Sequence, residues 1–156
     1  MIEPIVSKIE VACDQKTAFQ IFVEQMGSWW PLAKRSMSMH QGHPPKGLRT
    51  DPRSGGKIIE TTHDGIEHVW GSFKRFDPFG FVSMDFHMGL PPENSSLVEV
   101  HFLPVGDNRT QIELTHSNFE AFGEMAEMMR RGYGSGWVPI FEEGFRNACD
   151  AAGRRA

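Results

Sequence analysis

The chain has 156 residues, 39% of them hydrophobic, and a formal net charge of −4. The absence of a basic excess argues against nucleic acid as the main partner, because such proteins displace phosphate counterions with Lys and Arg. No apolar run approaches the ~18 residues of a membrane span, and the start MIEPIVSKIE lacks the pattern of a secretory signal. We expect a cytoplasmic protein that folds as a single domain over residues 1–156.

The first predicted element is a strand over residues 4–12. Ile5, Ile9 and Val11 alternate with Lys8 and Glu10, which is the period of a half-buried strand.

A helix follows this strand. We expect the Asp14 side chain to cap its first turn and Gly27 to end it, since Gly adopts the left-handed C-terminal conformation without steric cost. Its apolar positions recur at helical spacing: Ala18, Phe19, Phe22, Val23 and Met26. Of the adjacent Trp29 and Trp30, at least one is expected to be buried.

The middle of the chain is predicted to form a loop followed by a series of strands. Residues 33–55 carry clustered Pro and Gly and predict a long loop, with room for one short strand. After it, alternating apolar and polar residues predict strands over 57–63, 67–76, 81–88, 97–104 and 109–118. Short turns, such as Asp64-Gly65, join them, so an antiparallel meander and an α+β fold class are expected.

A methionine-rich segment precedes the end of the chain. Its apolar positions, Phe122, Met125, Met128 and Met129, predict a short amphipathic helix. Gly132, Gly134 and Gly136 after it predict a flexible joint. Met suits adaptable contacts, so the segment is either a lid over a cavity or a helix that simply covers the core.

The last predicted element is a helix of roughly four turns over residues 136–152. Its apolar face is heavily aromatic and consists of Trp137, Phe141, Gly144, Phe145, Ala148 and Ala152. A single helix with such an apolar face must bury it, and we expect it to pack against the predicted sheet.

The order and spacing of several short motifs resemble the activator-of-heat-shock-protein-90-ATPase-like branch of the START/SRPBCC superfamily. The motifs are Ala18-Phe19, Trp29-Trp30-Pro31, Gly55-Gly56, Trp70-Gly71, Phe76-Asp77-Pro78, Glu99-Val100-His101-Phe102, His116-Ser117-Asn118-Phe119 and Gly136-Trp137. The resemblance covers residues 5–148. It implies a helix-grip fold: a curved antiparallel sheet of about six to seven strands wrapped around a long C-terminal helix, with two short helices after the first strand.

The resemblance also implies a deep, mostly apolar cavity between sheet and helix. Members of the superfamily bind lipids, flavonoids or polyketides, or act as cyclases, whereas the co-chaperone that gives the branch its name carries an additional N-terminal domain. The side chains expected to line a cavity here are Phe22, Trp30, Trp70, Phe73, Met84, Phe86, His116, Met125, Met129, Trp137 and Phe141. The alternative is that the same side chains fill the core.

Catalytic and metal-binding patterns are weak. The histidine pairs His40/His43 and His63/His68 have unrelated contexts and no HExxH or CxxC accompanies them, so no metal or cofactor is expected. His116 shares the inward face of its strand, where it is either a general base or a satisfied structural histidine.

The other polar residues give weaker indications of a catalytic site. Cys13 and Cys149 lie far apart in the sequence, without a redox motif, and Cys13 reads as a passive small residue. Glu60 and Glu67 lie on neighbouring strands as a candidate carboxylate pair, although most strand carboxylates are solvated.

These observations favour non-enzymatic binding of a small apolar or aromatic molecule. Two alternatives stay open. One is a protein-interaction module, co-chaperone-like or homodimeric, that uses an exposed Trp29 or the Pro-rich loop. The other is a cyclase or hydrolase that uses His116 with a water molecule.

Overall fold

The structure is a computed structural model that describes residues 2–32, 42–88 and 90–155. Seven strands are present: β1 (Ile5–Val11), β2 (Gly47–Thr50), β3 (Lys57–Thr61), β4 (Glu67–Asp77), β5 (Phe81–Phe86), β6 (Ser96–Gly106) and β7 (Arg109–Ser117). The helices are α1 (Gln15–Glu24), α2 (Met26–Trp29), α3 (Ala126–Trp137) and α4 (Arg146–Arg155). A π-helical segment, Val138–Phe145, joins α3 to α4, and short 3-10 turns occur at Pro92–Asn94 and Phe119–Met125.

All seven strands form one antiparallel sheet in the order β1-β7-β6-β5-β4-β3-β2. The chain from β2 to β7 is a meander, and β1 closes the order by pairing with β7, so that Ile9 lies opposite Ile112. The sheet curls around the long helix, with α1 and α2 between β1 and β2. This α+β arrangement confirms the helix-grip expectation.

The predicted alternation within strands holds because one sheet face packs on the helices. Val82, Met84 and Phe86 of β5 are buried, as are Ile112 and Leu114 of β7. The strand predicted to reach residue 88 ends at Phe86 instead. Met88 has a φ of 44°, which interrupts an extended backbone.

The glycines before Trp137 do not form the predicted joint. Gly132, Gly134 and Gly136 lie inside α3, and residues 126–155 are continuously helical. Gly is a poor helix former, but these glycines are tolerated within a helix whose other face packs on the sheet. The break in the helical path comes earlier, at Gly123, with a φ of 62°.

Pro139 explains the π-helical segment. It lacks a backbone N–H and its ring collides with the preceding turn of a regular α-helix. A wider turn inside the helix accommodates it without ending the helix.

Two predictions about the first helix are wrong. Asp14 occupies the N-cap position of α1, but its side chain makes no capping hydrogen bond within the described part of the chain. The helix ends at Glu24, and Gly27 lies inside α2. A Cβ on Gly27 would lie 2.2 Å from the Leu48 carbonyl oxygen, so this glycine permits close packing on β2.

Both adjacent tryptophans are buried, with exposed fractions of 5% each. The indole N–H of Trp29 donates to the Ile21 carbonyl oxygen over 2.8 Å. Burial of at least one tryptophan is therefore confirmed, and an interaction surface built on an exposed Trp29 is wrong.

The predicted loop over residues 33–55 is only partly described. Residues 33–41, which include His40, lie outside the described ranges, and β2 occupies the end of the loop. Among the described helices, none combines the length and apolar character that crossing a membrane requires.

Replacing Gly144 and Gly132 by alanine tests the packing of the long helix. A Cβ on Gly144 would lie 2.5 Å from the Trp29 carbonyl oxygen, so Gly144→Ala is expected to destabilise the protein by about 1–3 kcal/mol. Around Gly132 no described atom lies within 4 Å of such a Cβ, and Gly132→Ala is expected to stabilise by about 0.5–1 kcal/mol. Urea unfolding measures both changes, and the same sign for both would contradict this account of the helix.

Candidate functional site

Four aromatic side chains meet between the sheet and the long helix: Trp30, Trp70, Phe86 and Trp137, called here the inner aromatic cluster. Trp30, which follows α2, is central; its ring centroid lies 4.8 Å from that of Trp70 and 5.7 Å from that of Trp137. Trp70 comes from β4, Phe86 from β5 and Trp137 from the end of α3. Residues from four parts of the sequence thus converge on one place.

The other predicted lining residues occupy separate places. Phe22 of α1 and Phe141 of the helix both contact Phe145, at centroid distances of 5.4 and 5.6 Å. Phe73 and Met84 face each other across β4 and β5 and are buried.

The predicted methionine lid does not cover the inner aromatic cluster. Met125 is 43% exposed, and Met129 packs against a small separate cluster that contains Phe119 and Phe122. Tyr133 contacts both clusters. The structure therefore brings Met129 to the flank of the site, through Tyr133, and leaves Met125 largely in solvent.

His116 is fully buried beside the inner aromatic cluster, and both of its ring nitrogens are engaged. The Trp137 indole N–H donates to Nδ1 over 3.0 Å, and Nε2 lies 2.7 Å from the Ser96 hydroxyl oxygen. Because Nδ1 accepts, Nε2 carries the proton and donates to Ser96, whose hydroxyl donates in turn to the Phe86 carbonyl oxygen over 2.8 Å.

Burial lowers the pKa of His116 to about 3 from an ordinary value of 6.5. The imidazole is neutral at physiological pH. Both ring nitrogens are satisfied by hydrogen bonds, and the nearby Asn118 donates to the Ser95 carbonyl oxygen.

Tyr133 lies over the same histidine. Its ring centroid is 4.6 Å from that of His116 and 5.7 Å from that of Phe86. Burial raises the pKa of the Tyr133 phenol above its usual value, so the hydroxyl stays protonated.

Glu60, which the sequence suggested only as half of a carboxylate pair, is a buried acidic side chain, and its burial was not predicted. Its exposed fraction is 0%, and the Trp70 indole N–H donates to its Oε1 over 2.9 Å. The available signal was strand parity: Ile58 and Glu60 share a face of β3, and both are buried. Polar and charged side chains are rarely buried without a partner, and Trp70 supplies one here.

Glu60 and Glu67 are not a carboxylate pair. Glu60 lies opposite His68 in the β3–β4 register, and Glu67 lies opposite Thr61. Glu67 is exposed and forms an ion pair with Arg49 over 2.6 Å, so the two carboxyl groups face opposite sides of the sheet.

Two histidines lie together outside the site. His43 and His63 stack with a centroid distance of 4.3 Å. Across residues 2–32, 42–88 and 90–155, no three His, Cys, Asp or Glu side chains are grouped so that they would hold a metal ion.

Solved structures share this fold over nearly the whole chain. The self-sacrificing resistance protein CalC from Micromonospora echinospora is 26% identical, with a TM-score of 0.71 over 98% of this chain and 97% of CalC. The anthrahydroquino-gamma-pyrone synthase Txn09 is 25% identical, with a TM-score of 0.65 over 94% of this chain and 96% of Txn09. An Aha1 dimer from Colwellia psychrerythraea is 14% identical, with a TM-score of 0.61 over 96% and 97% of the two chains, and shows the fold alone.

No functionally curated protein sequence matches the chain significantly. A family profile does match, over residues 15–138, which include the whole inner aromatic cluster, Glu60 and His116. By this match over most of its length, the chain belongs to the family described as Activator of Hsp90 ATPase homolog 1-like protein.

Proposed function

We propose that the protein binds a small aromatic or apolar molecule between the sheet and the long helix, beside the inner aromatic cluster, without catalysing a reaction. The observation that carries the proposal is the setting of Glu60, a fully buried carboxyl group held by the indole of Trp70 among aromatic rings. Ligand sites combine an apolar lining with a few placed polar groups, and this setting has both.

Glu60 is the polar side chain that we assign to ligand orientation. Its carboxyl group is an acidic group buried against the inner aromatic cluster, and its partner Trp70 belongs to that cluster, so a ligand that packs on these rings would meet it. His116 is less suited to this role because Trp137 and Ser96 engage its two nitrogens.

One of the similar structures described above supports this class of ligand. It is by its name a synthase of an anthrahydroquino-gamma-pyrone, a polycyclic aromatic compound. Rings of this kind pack favourably against aromatic side chains such as those of the inner aromatic cluster.

The geometry argues against the alternative of a cyclase or hydrolase with His116 as base. A general base needs a lone pair directed at the substrate, within hydrogen-bond reach. In His116 the available lone pair, on Nδ1, accepts from Trp137. Nε2 is a donor to Ser96, and the low pKa of His116 makes it a weak base.

Thermal unfolding with small ligands tests binding. Dihydroxyanthraquinone, anthraquinone and palmitate are added separately to the purified chain. A ligand present at about 100 times its Kd stabilises by about 2.7 kcal/mol, which raises the Tm by roughly 5–10 °C for a chain of this size. Quenching of tryptophan fluorescence should accompany the shift. Leu103→Ser, at a side chain that is 55% exposed, is a control expected to bind normally. An unchanged Tm and unchanged fluorescence with all three ligands would contradict the proposal.

The role of Glu60 is tested by Glu60→Gln, which preserves shape and the acceptor for Trp70. A hydrogen bond contributes about 0.5–1.5 kcal/mol net, so the affinity for dihydroxyanthraquinone should fall by about two- to tenfold, whereas that for anthraquinone stays unchanged. Glu67→Gln is the matched control, because Glu67 is exposed on the neighbouring strand, and it should bind both ligands normally. Equal losses for both ligands would reject the orienting role and leave binding itself intact.

The buried His116 predicts a specific pH dependence of stability. Its folded pKa is lowered, so above pH 6.5 both the folded and unfolded states are neutral there, and below it only the unfolded state takes up the proton. Stability should therefore fall with decreasing pH between 6.5 and about 3, by up to about 1.4 kcal/mol per pH unit from this group.

The variant His116→Gln isolates this contribution. Its amide can accept from Trp137 and donate to Ser96, but it does not titrate. Urea unfolding at several pH values below neutrality should give a smaller pH slope for the variant than for the wild type. Identical slopes would mean that His116 is not buried in its neutral form.

A further inference from the structure

The fold brings together the two cysteines that are distant in the sequence. Cys13 follows β1, immediately before α1, and Cys149 lies in α4. Both are reduced thiols, with exposed fractions of 2% and 0%, and both belong to the main hydrophobic core. Neither takes part in the proposed ligand site.

The backbone around the two cysteines is held tightly on both sides. The Ala12 backbone N–H donates to Asp150 Oδ1 over 2.8 Å, and Ala12 and Asp150 are the direct neighbours of Cys13 and Cys149. One turn further along α4, Gly153 lies so close that a Cβ there would be 1.7 Å from the Ala12 carbonyl oxygen.

The residue that follows β1 is also held by the neighbouring strand β7. The Thr110 hydroxyl, itself buried, donates to the Cys13 carbonyl oxygen over 2.9 Å. The end of β1 and the helix α4 are thus positioned by contacts that do not involve sulfur.

Cys149 lies one helical turn before Gly153 on the same face of α4, and a Cβ at Gly153 would be 3.6 Å from the Cys13 backbone nitrogen, so this face of α4 places Cys149 beside Cys13. A hydrogen bond between the two thiols lowers the pKa of Cys13, and together with burial it raises that of Cys149. Cys13 therefore has the greater thiolate character, which is the property of the attacking sulfur in thiol oxidation.

We propose that Cys13 and Cys149 are a redox modification site, which hydrogen peroxide converts to a reversible intramolecular disulfide. The Cys13 thiolate attacks one peroxide oxygen, the O–O bond breaks, and the departing hydroxide takes up the thiol proton as water, leaving a sulfenic acid on Cys13. The Cys149 sulfur then attacks the Cys13 sulfur; the S–O bond breaks, and the sulfenic oxygen leaves as a second water with the Cys149 proton. Two thiols are oxidised and one peroxide is reduced to two waters.

The disulfide would join α4 to the end of β1 across most of the sequence. A cross-link that closes so long a loop restricts the unfolded chain strongly. Because the folded backbone is already positioned for the contact, the oxidised protein should be the more stable form.

The test uses the purified full chain, treated with hydrogen peroxide or with dithiothreitol. Under non-reducing conditions the peroxide-treated monomer should lose two hydrogens in its intact mass and yield a linked pair of peptides containing Cys13 and Cys149. Its Tm should rise by roughly 10 °C, and dithiothreitol should reverse both changes. Cross-links only between molecules, or an intramolecular link that forms only after unfolding in urea, would overturn the proposal.

Single variants test the order of attack. In Cys149→Ser, peroxide should leave a sulfenic acid on Cys13 that dimedone traps. In Cys13→Ser, Cys149 should stay unlabelled under the same treatment. Labelling of Cys149 alone would overturn the assignment of Cys13 as the attacking sulfur, and the wild-type mass measurement tests the disulfide independently of how well either variant folds.

Discussion

Trp137 links the long helix to the sheet in two ways at once. Its ring packs in the inner aromatic cluster, and its indole N–H donates to His116 at the end of β7. Burying a large side chain contributes roughly 2–3 kcal/mol, and a hydrogen bond about 1 kcal/mol net. The second contribution is smaller, but it fixes the rotation of the helix, because a single orientation brings the indole to Nδ1. The position of the helix against Trp30 and Phe86 depends on that orientation.

Two buried polar groups, Glu60 on β3 and His116 on β7, are held in the same way towards opposite ends of the strand order. Trp70 donates to Glu60, and Trp137 donates to His116. In each case an indole that supplies apolar area also satisfies a buried polar atom, so the interior tolerates an acid and an imidazole without solvent. At His116 the arrangement is closed, because Trp137 and Ser96 engage both ring nitrogens.

Local periodicity was sufficient to predict the strands and the inward side of His116, because one face of the sheet is buried throughout. It failed where tertiary contacts decide the outcome. Gly27 permits close packing on β2 and does not end a helix, and Glu60 is buried although it is acidic. The partners of His116 come from β6 and α3, and the hydrogen bond between Ala12 and Asp150 beside the two cysteines spans nearly the whole chain. Such pairings depend on topology, which no local pattern contains.

The π-helical segment that begins at Val138 separates the half of the long helix that contains Trp137 from the half that contains Cys149. The family profile ends at residue 138, where this segment begins. The extra residue in a π turn rotates all later side chains by about 100° relative to a regular α-helix. The fully buried positions Trp137, Phe141, Phe145 and Cys149 accordingly recur at intervals of four, whereas the α-helical pattern placed Ala148 on this face in place of Cys149. Past the π-helical segment, the side of the helix that faces the core is thus set one residue later than the sequence pattern predicts.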